Sequence, residues 1–371
     1  MIRKNRTIIA VDLDYFYAQC EEVRNPSMKK KPLVICVYSG RTSESGAVST
    51  SNYLARKLGV KSGMPIALAK RVLRNEPEAA FLPMDRDYYE AISERIMEIL
   101  HSHSDKFEQV SVDEAFIDVT EMTKGDFHLA ETEARKVKNE IFDGTGLTCS
   151  VGIAPNKLLA KLAADSKKPN GLTLINPEDV STFLDPLPVA KLLGIGPKTE
   201  NKMEELGIKT IGDLAIFDPV VLSEEFGKNL GPQLQRAARG IDEEEVHERE
   251  PEQFSRIVTL KEDKDEFDFV DTIRPLAHDI SERLVTSRHL CKSVGIIVIT
   301  KELKAKSRAK ALEVETDSES VILSTASNLF ASYFKENPDV LARRVGIRIS
   351  GLSKTKNAES ETNSTLTRYF G

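Results

Sequence analysis

Two adjacent acids, Asp113 and Glu114, interrupt a segment of the chain that is otherwise typical of a β-strand. The surrounding stretch, QVSVDEAFIDV at 109–119, is rich in β-branched and aromatic residues that pack well on a half-buried sheet. Because neighbouring side chains on a strand point to opposite faces, one acid would lie unpaired in the core, which is costly for a charge. A tight hairpin between VSV and AFIDV avoids this cost, because both acids then lie at its apex and can approach one point.

A second pair of acids, Asp12 and Asp14, lies at the end of the apolar segment TIIAVDL at 7–13. As i, i+2 neighbours on a strand they share a face, which fits a solvated strand edge as well as a metal site. If Asp12 lies beside the hairpin apex, three carboxylates converge, and cations such as Mg²⁺ or Mn²⁺ are needed to offset their repulsion. Two such ions can activate a hydroxyl and stabilise the leaving oxygen of a phosphoryl or nucleotidyl transfer.

The segment SGAVSTSNYLARK, at 45–57, carries groups that suit a phosphate. It predicts a helix in which residues 49–51 are candidate caps and in which Tyr53 and Arg56 share one face. The N-terminus of such a helix, with Thr50, suits an anion. An ordinary amphipathic helix with a solvated Arg gives the same pattern.

Two later segments add basic and glycine-rich features. NKLLAKLAADSKKPNG, at 156–171, is a Lys-rich helix followed by a turn from which Lys168 could reach a phosphate, although ordinary surface lysines fit equally well. In LLGIGPKTENKMEELGIKTIGDL, at 192–214, GIG opens a helix and LGI closes it, which is the pattern of a helix-hairpin-helix. Such a motif grips a phosphodiester backbone through N–H groups and lysines without reading bases, so we favour DNA contact over a purely structural turn.

The overall charge and the local charge point in different directions. The 371 residues carry a net charge of −6, which argues against nucleic acid, because phosphate binding depends on Lys and Arg. Residues 283–310, however, hold eight basic residues and one acid, while residues 243–252 hold six acids and one Arg. Local charge decides where an anion binds, so the acidic total does not exclude a DNA-binding protein.

Length and element order predict several domains. A chain of 371 residues is too long for one compact core and suggests about two to four domains. Strands interleave with helices to about residue 175, 178–240 is helical, 241–253 is an acidic linker, and strands and helices alternate again to 352. The four cysteines are scattered without a CxxC pair, and no apolar run is long enough for a bilayer, so we expect a reduced, cytoplasmic protein.

Five motifs together resemble the Y-family DNA polymerases, and most closely the DNA polymerase IV group of archaeal and bacterial type. They are VDLDYFYAQCE, SGAVSTSNYLARK, SVDEAFIDV, VGIAPNKLLAKLAADSKKPNG and GIGPKTENKMEELGI. They occur in the family's order and with comparable spacing over about residues 5–352. The segment EQFSRIVTL after the linker departs from the more basic KSIGRE-like start of many relatives, which implies a weaker grip of the linker on DNA.

The resemblance implies an α+β fold arranged as a right-hand polymerase. It would have a ferredoxin-like palm, small fingers, a helical thumb with the helix-hairpin-helix, and a separate α+β little-finger domain. The implied domains are the palm at 1–23 and 82–171, the fingers at 24–81, the thumb at 172–240, the linker at 241–253, the little finger at 254–352, and a flexible tail at 353–371 with a clamp-binding peptide.

The resemblance also assigns metal ligands. Asp12, Asp113 and Glu114 match the family's catalytic metal-binding carboxylates, and the Leu13 carbonyl matches its backbone ligand. These groups would hold two Mg²⁺ ions, which Mn²⁺ can replace. Asp14 matches a recurrent acid that is not usually counted as a ligand.

Nucleotide and DNA contacts follow from the same resemblance. Tyr17 matches the steric gate, an aromatic ring that would clash with a ribose 2′-OH and so select deoxynucleotides. Tyr53, Arg56 and Lys168 match contacts to the triphosphate. Further residues expected around the nucleotide are Tyr15 and Phe16 beside the gate, Thr50 beside the phosphates, and Ala47 and Ser49 near the nascent base pair. The residues expected to contact DNA are Gly194, Gly196, Lys198, Lys301, Lys304, Lys306, Arg308, Lys310, Arg343, Arg344 and Arg348.

The last segment, NSTLTRYF at 363–370, resembles a sliding-clamp-binding peptide. Leu366, Tyr369 and Phe370 could form a short apolar plug, although Asn363 replaces the usual Gln and a chance hydrophobic terminus gives the same pattern. Its place after a polar tether, which we expect to be disordered, favours the clamp, because tethering raises the local concentration at the primer end.

These observations predict a template-directed DNA polymerase of low fidelity that extends primers past damaged template bases by two-metal-ion nucleotidyl transfer. We expect it to act as a monomer on primer–template DNA and dNTPs. We also expect it to bind a sliding clamp and not to bind a membrane. The alternative is a non-catalytic DNA-binding repair or clamp-associated factor on the same fold, which would need a broken carboxylate set. A two-metal nuclease or a nucleotide cyclase would explain the carboxylates, but not the aromatic gate together with a helix-hairpin-helix and a basic C-terminal domain.

Overall fold

The computed structural model describes residues 6–265 and 269–355. Contacts within the chain divide it into two compact units. The first comprises Met1–Val37 and Ala47–Arg249, and the second comprises Tyr38–Gly46 and Glu250–Gly371. Sheets and helices occur in both, which confirms the predicted α+β class. Within the two described ranges, no helix is both long enough and apolar enough to span a membrane.

Strands and helices are spread along the whole described part of the chain. The strands are β1 (Ile8–Leu13), β2 (Leu33–Tyr38), β3 (Gly46–Ser51), β4 (Ala80–Pro83), β5 (Lys106–Gln109), β6 (Glu114–Asp118), β7 (Cys149–Ala154), β8 (Leu172–Leu174), β9 (Gln253–Lys264), β10 (His289–Thr300), β11 (Ala305–Thr316) and β12 (Ala342–Lys354). The α-helices are α1 (Phe16–Arg24), α2 (Tyr53–Lys57), α3 (Ile66–Val72), α4 (Arg86–Ser102), α5 (Thr120–Thr123), α6 (Phe127–Thr145), α7 (Lys157–Ser166), α8 (Val180–Leu184), α9 (Pro197–Glu205), α10 (Ile211–Ile216), α11 (Pro219–Phe226), α12 (Leu230–Ala238), α13 (Val270–Thr286) and α14 (Glu319–Glu336).

A five-stranded sheet with the order β5-β6-β1-β7-β8 forms the centre of the first unit. β1 lies in its middle and pairs antiparallel with both β6 and β7. Ile9 and Val11 pack with α4 and α6 on one face, while Ile8 and Ala10 pack with α7 on the other. β1 therefore has no face that is free for solvent, and the charge of Asp12 near its end needs a partner.

β5 and β6 form the predicted hairpin that carries the two adjacent acids. The expected strand VSV lies in the turn instead, because the first strand ends at Gln109. The N–H groups of Val110 and Ser111 both donate to the Glu114 carbonyl, at 2.9 and 3.1 Å, and so close the turn. Asp113 is the last residue of this turn, and Glu114 is the first residue of β6.

A smaller sheet has the strand order β3-β2-β4, and β2 and β4 are parallel. The helix predicted over STSNYLARKLGV is shorter than expected, because β3 continues to Ser51 and α2 starts only at Tyr53. Asn52 caps α2, since its side-chain oxygen accepts a hydrogen bond from the Ala55 N–H at 3.1 Å. With five residues, α2 is too short to supply the anion-attracting N-terminus that the sequence predicted.

The segment from α8 to α12 is helical, as the sequence predicted, and it contains the glycine-punctuated turn. Gly194 has a φ of 90°, which favours glycine, and Gly196 precedes α9 with Pro197 at its first position. Thr210 and Asp213 form a capping box at the start of α10. The GIG turn thus leads into α9, and the capping box starts the helix after it, which gives the two successive helices of a helix-hairpin-helix.

The second unit contains a four-stranded antiparallel sheet with the order β11-β10-β12-β9. The helices α13 and α14 cover one face, where Ile296 of β10 and Ile347 of β12 are fully buried with Phe330 of α14. The two-residue period of a strand places the neighbours of these residues on the other face. Gly295 and Arg348 are such neighbours and are paired in the register of β10 and β12.

Residues 241–249, the first part of the acidic segment after α12, are attached to the rest of the first unit. Glu108 of β5 is fully buried, and its carboxylate accepts hydrogen bonds from Lys157 Nζ at 2.9 Å and from Arg249 Nε at 2.6 Å. Burial by itself would raise the pKa of Glu108, but the two cations hold it below its usual range. Asn156 adds a further attachment, because its Nδ2 donates to the Gly240 carbonyl at 2.8 Å.

The ring of His103, at the end of α4, links two acids of α6. Its nitrogens lie 2.5 Å from a Glu133 oxygen and 2.7 Å from a Glu140 oxygen. Partial burial opposes protonation, but the two carboxylates outweigh it and raise the pKa of His103. The folded pKa thus lies above the unfolded value of about 6.5, so the stabilisation is present below that pH and is lost as the pH rises through the folded value.

We therefore expect the unfolding free energy of the wild-type protein to fall as the pH rises above the ordinary histidine pKa of about 6.5, because His103 then loses its charge. The His103→Gln variant should not show this loss, because Gln does not titrate. Urea unfolding at a series of pH values measures the difference. An equal pH dependence in the two proteins would mean that the His103 contacts do not stabilise the fold.

Candidate active site

Two carboxylates face each other across β1 and β6. Asp12 and Glu114 are paired in the register of the two strands, and their side chains are 12% and 19% exposed. The Leu13 N–H donates to the Asp113 carbonyl at 2.9 Å, which fixes the turn beside the pair. The Asp113 carboxylate is partly exposed and accepts a hydrogen bond from Ser111 Oγ at 2.6 Å. The structure thus brings Asp12 and Glu114 together and places Asp113 next to them.

Two lysines neutralise this pair. The Lys161 ammonium contacts Asp12 Oδ2 and lies 2.9 Å from Glu114 Oε2. Lys168, from the turn after α7, lies 2.7 Å from both Asp12 Oδ1 and Asp165 Oδ1. Burial opposes the charge of both lysines, but Asp12 and its neighbours outweigh it and raise both pKa values. Burial raises the pKa of Glu114, and Lys161 offsets part of that rise.

The donor set fits a hard cation. The Lys161 ammonium contacts both Asp12 and Glu114, so the two carboxylates are close enough to share one cation. Carboxylate and carbonyl oxygens are the ligands that Mg²⁺ and Mn²⁺ prefer. Across residues 6–265 and 269–355, however, no group of three His, Cys, Asp or Glu side chains is close enough to hold a metal. The sequence predicted that three carboxylates converge, but only those of Asp12 and Glu114 do so here. The Asp113 carboxylate instead accepts a hydrogen bond from Ser111.

Asp14 has a different role from Asp12. It is 1% exposed and accepts hydrogen bonds from Thr148 Oγ1, Ser150 Oγ and the Asn170 N–H, at 2.8, 2.7 and 2.8 Å. These donors satisfy the buried carboxylate and tie the turn that carries Lys168 to β7. Asp14 is thus a structural anchor of the site.

Tyr17 lies at the start of α1 with its ring against two others. It stacks on Tyr89 of α4 with ring centroids 4.6 Å apart and planes at 22°, and the Phe16 ring lies 5.4 Å away. Tyr89 is 1% exposed and Phe16 is 2% exposed, so both belong to the core. We therefore expect Phe16 to act by supporting Tyr17 and not by touching a nucleotide.

The residues predicted to bind the triphosphate lie around α2. Arg56 Nε donates to the Ser51 carbonyl at 2.8 Å, and its Nη2 donates to Thr50 Oγ1 at 3.2 Å. The Arg56 guanidinium lies over the Tyr53 ring at 5.3 Å. Burial raises the pKa of Tyr53, while the charges of Arg56 and Lys168 oppose the rise. Lys168 and the residues of α2 are therefore within electrostatic range of one another.

The helical segment exposes the predicted DNA-contacting residues of its GIG turn. Gly194, Gly196 and Lys198 are all exposed. A Cβ atom built on either glycine would meet nothing within 4 Å, so the backbone there is open to close approach by a ligand. This openness suits a contact through backbone N–H groups.

The predicted basic residues of the second unit are divided between the two faces of its sheet. Arg348 lies between two buried isoleucines of β12 and therefore faces away from the helices. Arg308 faces the helices, since it pairs with Glu336 of α14 at 2.7 Å, and Lys306 and Lys310 share its side of β11 by the two-residue period. Among the remaining predicted residues, Arg344 lies on the same face of β12 as Arg348, and Arg343 pairs with Asp263 at 3.3 Å. Lys301 and Lys304 lie in the turn between β10 and β11.

Sequence reasoning missed three residues around the site: Lys161, Tyr89 and Glu22. A signal for Lys161 was present, because Lys157 and Lys161 are spaced i, i+4 in a helix whose other residues are mostly apolar. Lysines on an apolar helix face need acidic partners. Tyr89 carries no comparable local signal, since its stacking partner Tyr17 comes from a distant segment, and Glu22 depends in the same way on Asn52. The proposed clamp-binding peptide at 363–370 lies outside the described residues.

Three family models match successive parts of the chain. The impB/mucB/samB family matches residues 11–165, the DNA polymerase-iota thumb domain matches residues 190–242, and the impB/mucB/samB family C-terminal domain matches residues 251–363. The first two matches lie in the first unit, apart from residues 38–46, and the third lies in the second unit.

Curated proteins and solved structures are similar over nearly the full length. DNA polymerase IV of Nitrosopumilus maritimus is 43% identical over 369 residues, which are 99% of this chain and 100% of that protein. DNA polymerase IV of Saccharolobus solfataricus is 38% identical over 355 residues, which are 95% and 98% of the two chains. A structure described as Y-family DNA polymerase chimera Dbh-Dpo4(243-245)-Dbh has a TM-score of 0.87 and 38% identity, covering 94% of this chain and 100% of its own. The insertion ternary complex of Dbh DNA polymerase has a TM-score of 0.71 with the same identity and coverage.

Proposed function

The chain belongs to the Y family of DNA polymerases, and from this membership we propose how its own residues carry out the reaction. It is a DNA-directed DNA polymerase of low fidelity that extends primers past damaged template bases. Its substrates are primer–template DNA and dNTPs. Its fold is the predicted right-hand polymerase with a helix-hairpin-helix thumb and a C-terminal little-finger domain, and no finding favours the non-catalytic alternative.

Y-family polymerases are metal-dependent, and we propose that Asp12, Asp113, Glu114 and the Leu13 carbonyl hold two Mg²⁺ ions, for which Mn²⁺ can substitute. The Lys161 ammonium, which contacts both Asp12 and Glu114, supports this assignment, because it shows that the two carboxylates can share one cation. When bound, such ions lower the pKa of the primer 3′-OH and stabilise the charge of the departing pyrophosphate.

Side chains of the chain itself orient the nucleotide. Lys168, Tyr53 and Arg56 bind the triphosphate, and they are charged or polar groups that lie within electrostatic range of one another. Holding the α-phosphate in line with the primer hydroxyl removes the entropy cost of bringing two reactants together. Tyr17 faces the sugar, and its stacking on Tyr89 gives the ring a fixed position from which it excludes a 2′-OH.

The pair formed by Asp12 and Glu114 is the single observation that carries this proposal. Two partly buried carboxylates at one point are costly, and a protein that only binds DNA gains nothing from them. The test is primer extension by the full chain with Mg²⁺, dNTPs and two primed templates, one undamaged and one with an abasic site. We expect extension on both, and none after chelation of the metal. Binding without extension would support the non-catalytic factor, and degradation of the primer would support a nuclease.

We propose that Arg348 contacts the DNA backbone, because it points to the face of its sheet that the helices leave open. Arg348→Ala is expected to weaken DNA binding and to make the slope of log K against log salt shallower by about 0.9. Arg308→Ala is the matched control, since Arg308 is paired with Glu336 on the helix-covered face and should change the slope little. Fluorescence anisotropy with labelled primer–template at several salt concentrations measures both. Equal slopes for wild type and Arg348→Ala would remove this contact from the proposal.

Three further proposals rest on the sequence and the family alone. We propose that Leu366, Tyr369 and Phe370 bind a sliding clamp, that the chain acts as a monomer, and that it works in the cytoplasm. The first is supported by the position of the apolar plug at the end of a polar tether.

A further inference from the structure

Glu22 is a buried acid that no step of the proposed reaction uses. It lies on α1 and is 5% exposed. Its two carboxylate oxygens accept hydrogen bonds from Asn52 Nδ2 at 2.8 Å and from the Tyr15 hydroxyl at 3.0 Å. Since a buried carboxylate is costly unless donors satisfy it, these two contacts fix Glu22 against both partners.

Asn52 connects Glu22 to the residues proposed to bind the triphosphate. Asn52 is 2% exposed, and its side-chain oxygen accepts the Ala55 N–H that starts α2. The Asn52 oxygen also accepts a hydrogen bond from the Leu33 N–H at 3.0 Å, and its Nδ2 donates to the Lys31 carbonyl at 2.8 Å. Because a carboxylate and a carbonyl only accept, Glu22 and the Lys31 carbonyl together hold the Nδ2 of Asn52, which leaves its oxygen facing α2. Asn52 thereby fixes the backbone immediately before Tyr53.

Tyr15 connects Glu22 to the same residues from a second side. Its backbone is left-handed, with φ 38° and ψ 45°, a conformation that residues with side chains rarely adopt. Its ring packs edge-on against the Tyr53 ring with centroids 5.0 Å apart. The Tyr15 hydroxyl is the donor in its 3.0 Å hydrogen bond to Glu22, because a carboxylate only accepts.

We infer that Glu22 is a positioning residue for nucleotide binding, which holds Tyr53 and Arg56 in the orientation that receives the triphosphate. The inference rests on the proposed function, because it takes these two residues as triphosphate contacts. Both Glu22 oxygens are occupied by Asn52 and Tyr15, so Glu22 acts through them and does not touch the nucleotide. Its loss should weaken nucleotide binding more than it slows bond formation.

The test compares Glu22→Leu with Glu22→Gln in steady-state primer extension by the full chain. Glu22→Leu removes both acceptors, and we expect the KM for dNTP to rise about 10-fold while kcat falls less than about 3-fold. Glu22→Gln can accept from Asn52 and donate to the Tyr15 oxygen, so it should keep KM within about 3-fold of wild type. A wild-type KM in Glu22→Leu would overturn the inference, and so would a Glu22→Gln variant that is equally impaired.

A second variant keeps the inference testable if Glu22→Leu does not fold. Tyr15→Phe removes one contact and leaves the other, and we expect a KM increase of about 3-fold. If Glu22→Leu does fold, the effects of Glu22→Leu and Tyr15→Phe in a double variant should be less than additive, because they act through one contact. Fully additive effects, or an unchanged KM in Tyr15→Phe, would contradict this route.

Two controls separate the possible failures. Glu133→Leu also removes a partly buried acid with two bonded partners, but those partners are His103 and Lys136, so the KM should not change. Arg56→Ala should raise the KM directly. A raised KM in Arg56→Ala with a normal KM in Glu22→Leu rejects the inference and leaves the proposed function standing. A normal KM in both rejects the triphosphate assignment as well.

Discussion

Glu114→Gln is expected to lower the kcat of primer extension by about 10²- to 10³-fold, the usual cost of removing one group that stabilises charge in the transition state. The substitution keeps the shape of the side chain and removes the charge with which it holds a cation. Lys161 keeps Asp12 as a partner, so the fold should remain intact. Single-turnover extension with saturating dNTP measures the rate, and thermal unfolding measures the stability.

Glu94→Gln is the matched control for this substitution. Glu94 is exposed on α4, and its replacement changes the net charge of the protein by the same amount. We expect its kcat to equal that of wild type, and we expect both variants to melt within about 4 °C of wild type, the shift that about 1 kcal/mol produces. An active Glu114→Gln enzyme would place the catalytic carboxylates elsewhere.

Tyr17→Ala is expected to reduce the preference for dNTP over rNTP by about 10- to 100-fold, because the clash that it removes costs a typical 1–3 kcal/mol. The ring is held by a stack with Tyr89 and cannot move aside for a ribose without breaking that contact. The ratio of kcat/KM for a dNTP and the matching rNTP is the measurement.

Tyr88→Ala controls for the loss of an aromatic ring in the same region. Tyr88 precedes Tyr89 on α4, but its ring lies under the Arg24 guanidinium at 3.5 Å instead of against Tyr17. Its sugar preference should match that of wild type. If Tyr17→Ala rejects ribonucleotides as strongly as wild type does, another residue must act as the gate.

Local rules predicted the parts of the fold that depend on neighbouring residues. The conflict between strand alternation and two adjacent acids placed Asp113 and Glu114 at a hairpin apex, and the hairpin is present. The same rules failed at its edges, because carbonyl contacts of Glu114 drew VSV into the turn. The run of Ser and Thr before Tyr53 resembled a helix cap, but Asn52 supplies the cap and the preceding residues complete β3.

Contacts between distant segments were beyond those rules. That Lys161 lies between Asp12 and Glu114 depends on how α7 is seated on the central sheet, which no local pattern encodes. The side of β11 on which Arg308 lies depends on which face the helices cover. The roles of Tyr17 and Arg56 came from the family resemblance, since an aromatic and an arginine at those positions have no distinctive physical pattern of their own.

The donors of Asp14 also bear on how the protein is made. Two of them, Thr148 and the Asn170 N–H, follow Asp14 by 134 and 156 positions. A ribosome must therefore synthesise nearly half of the 371 residues before the turn that carries Lys168 can be tied to β7. A nascent chain that ends between residues 114 and 160 contains Asp12, Asp113 and Glu114 but lacks Lys161 and Lys168, the lysines that neutralise Asp12 and Glu114. The newborn polymerase accordingly gains a working active site late in translation, well after the strands that bear its carboxylates have left the exit tunnel.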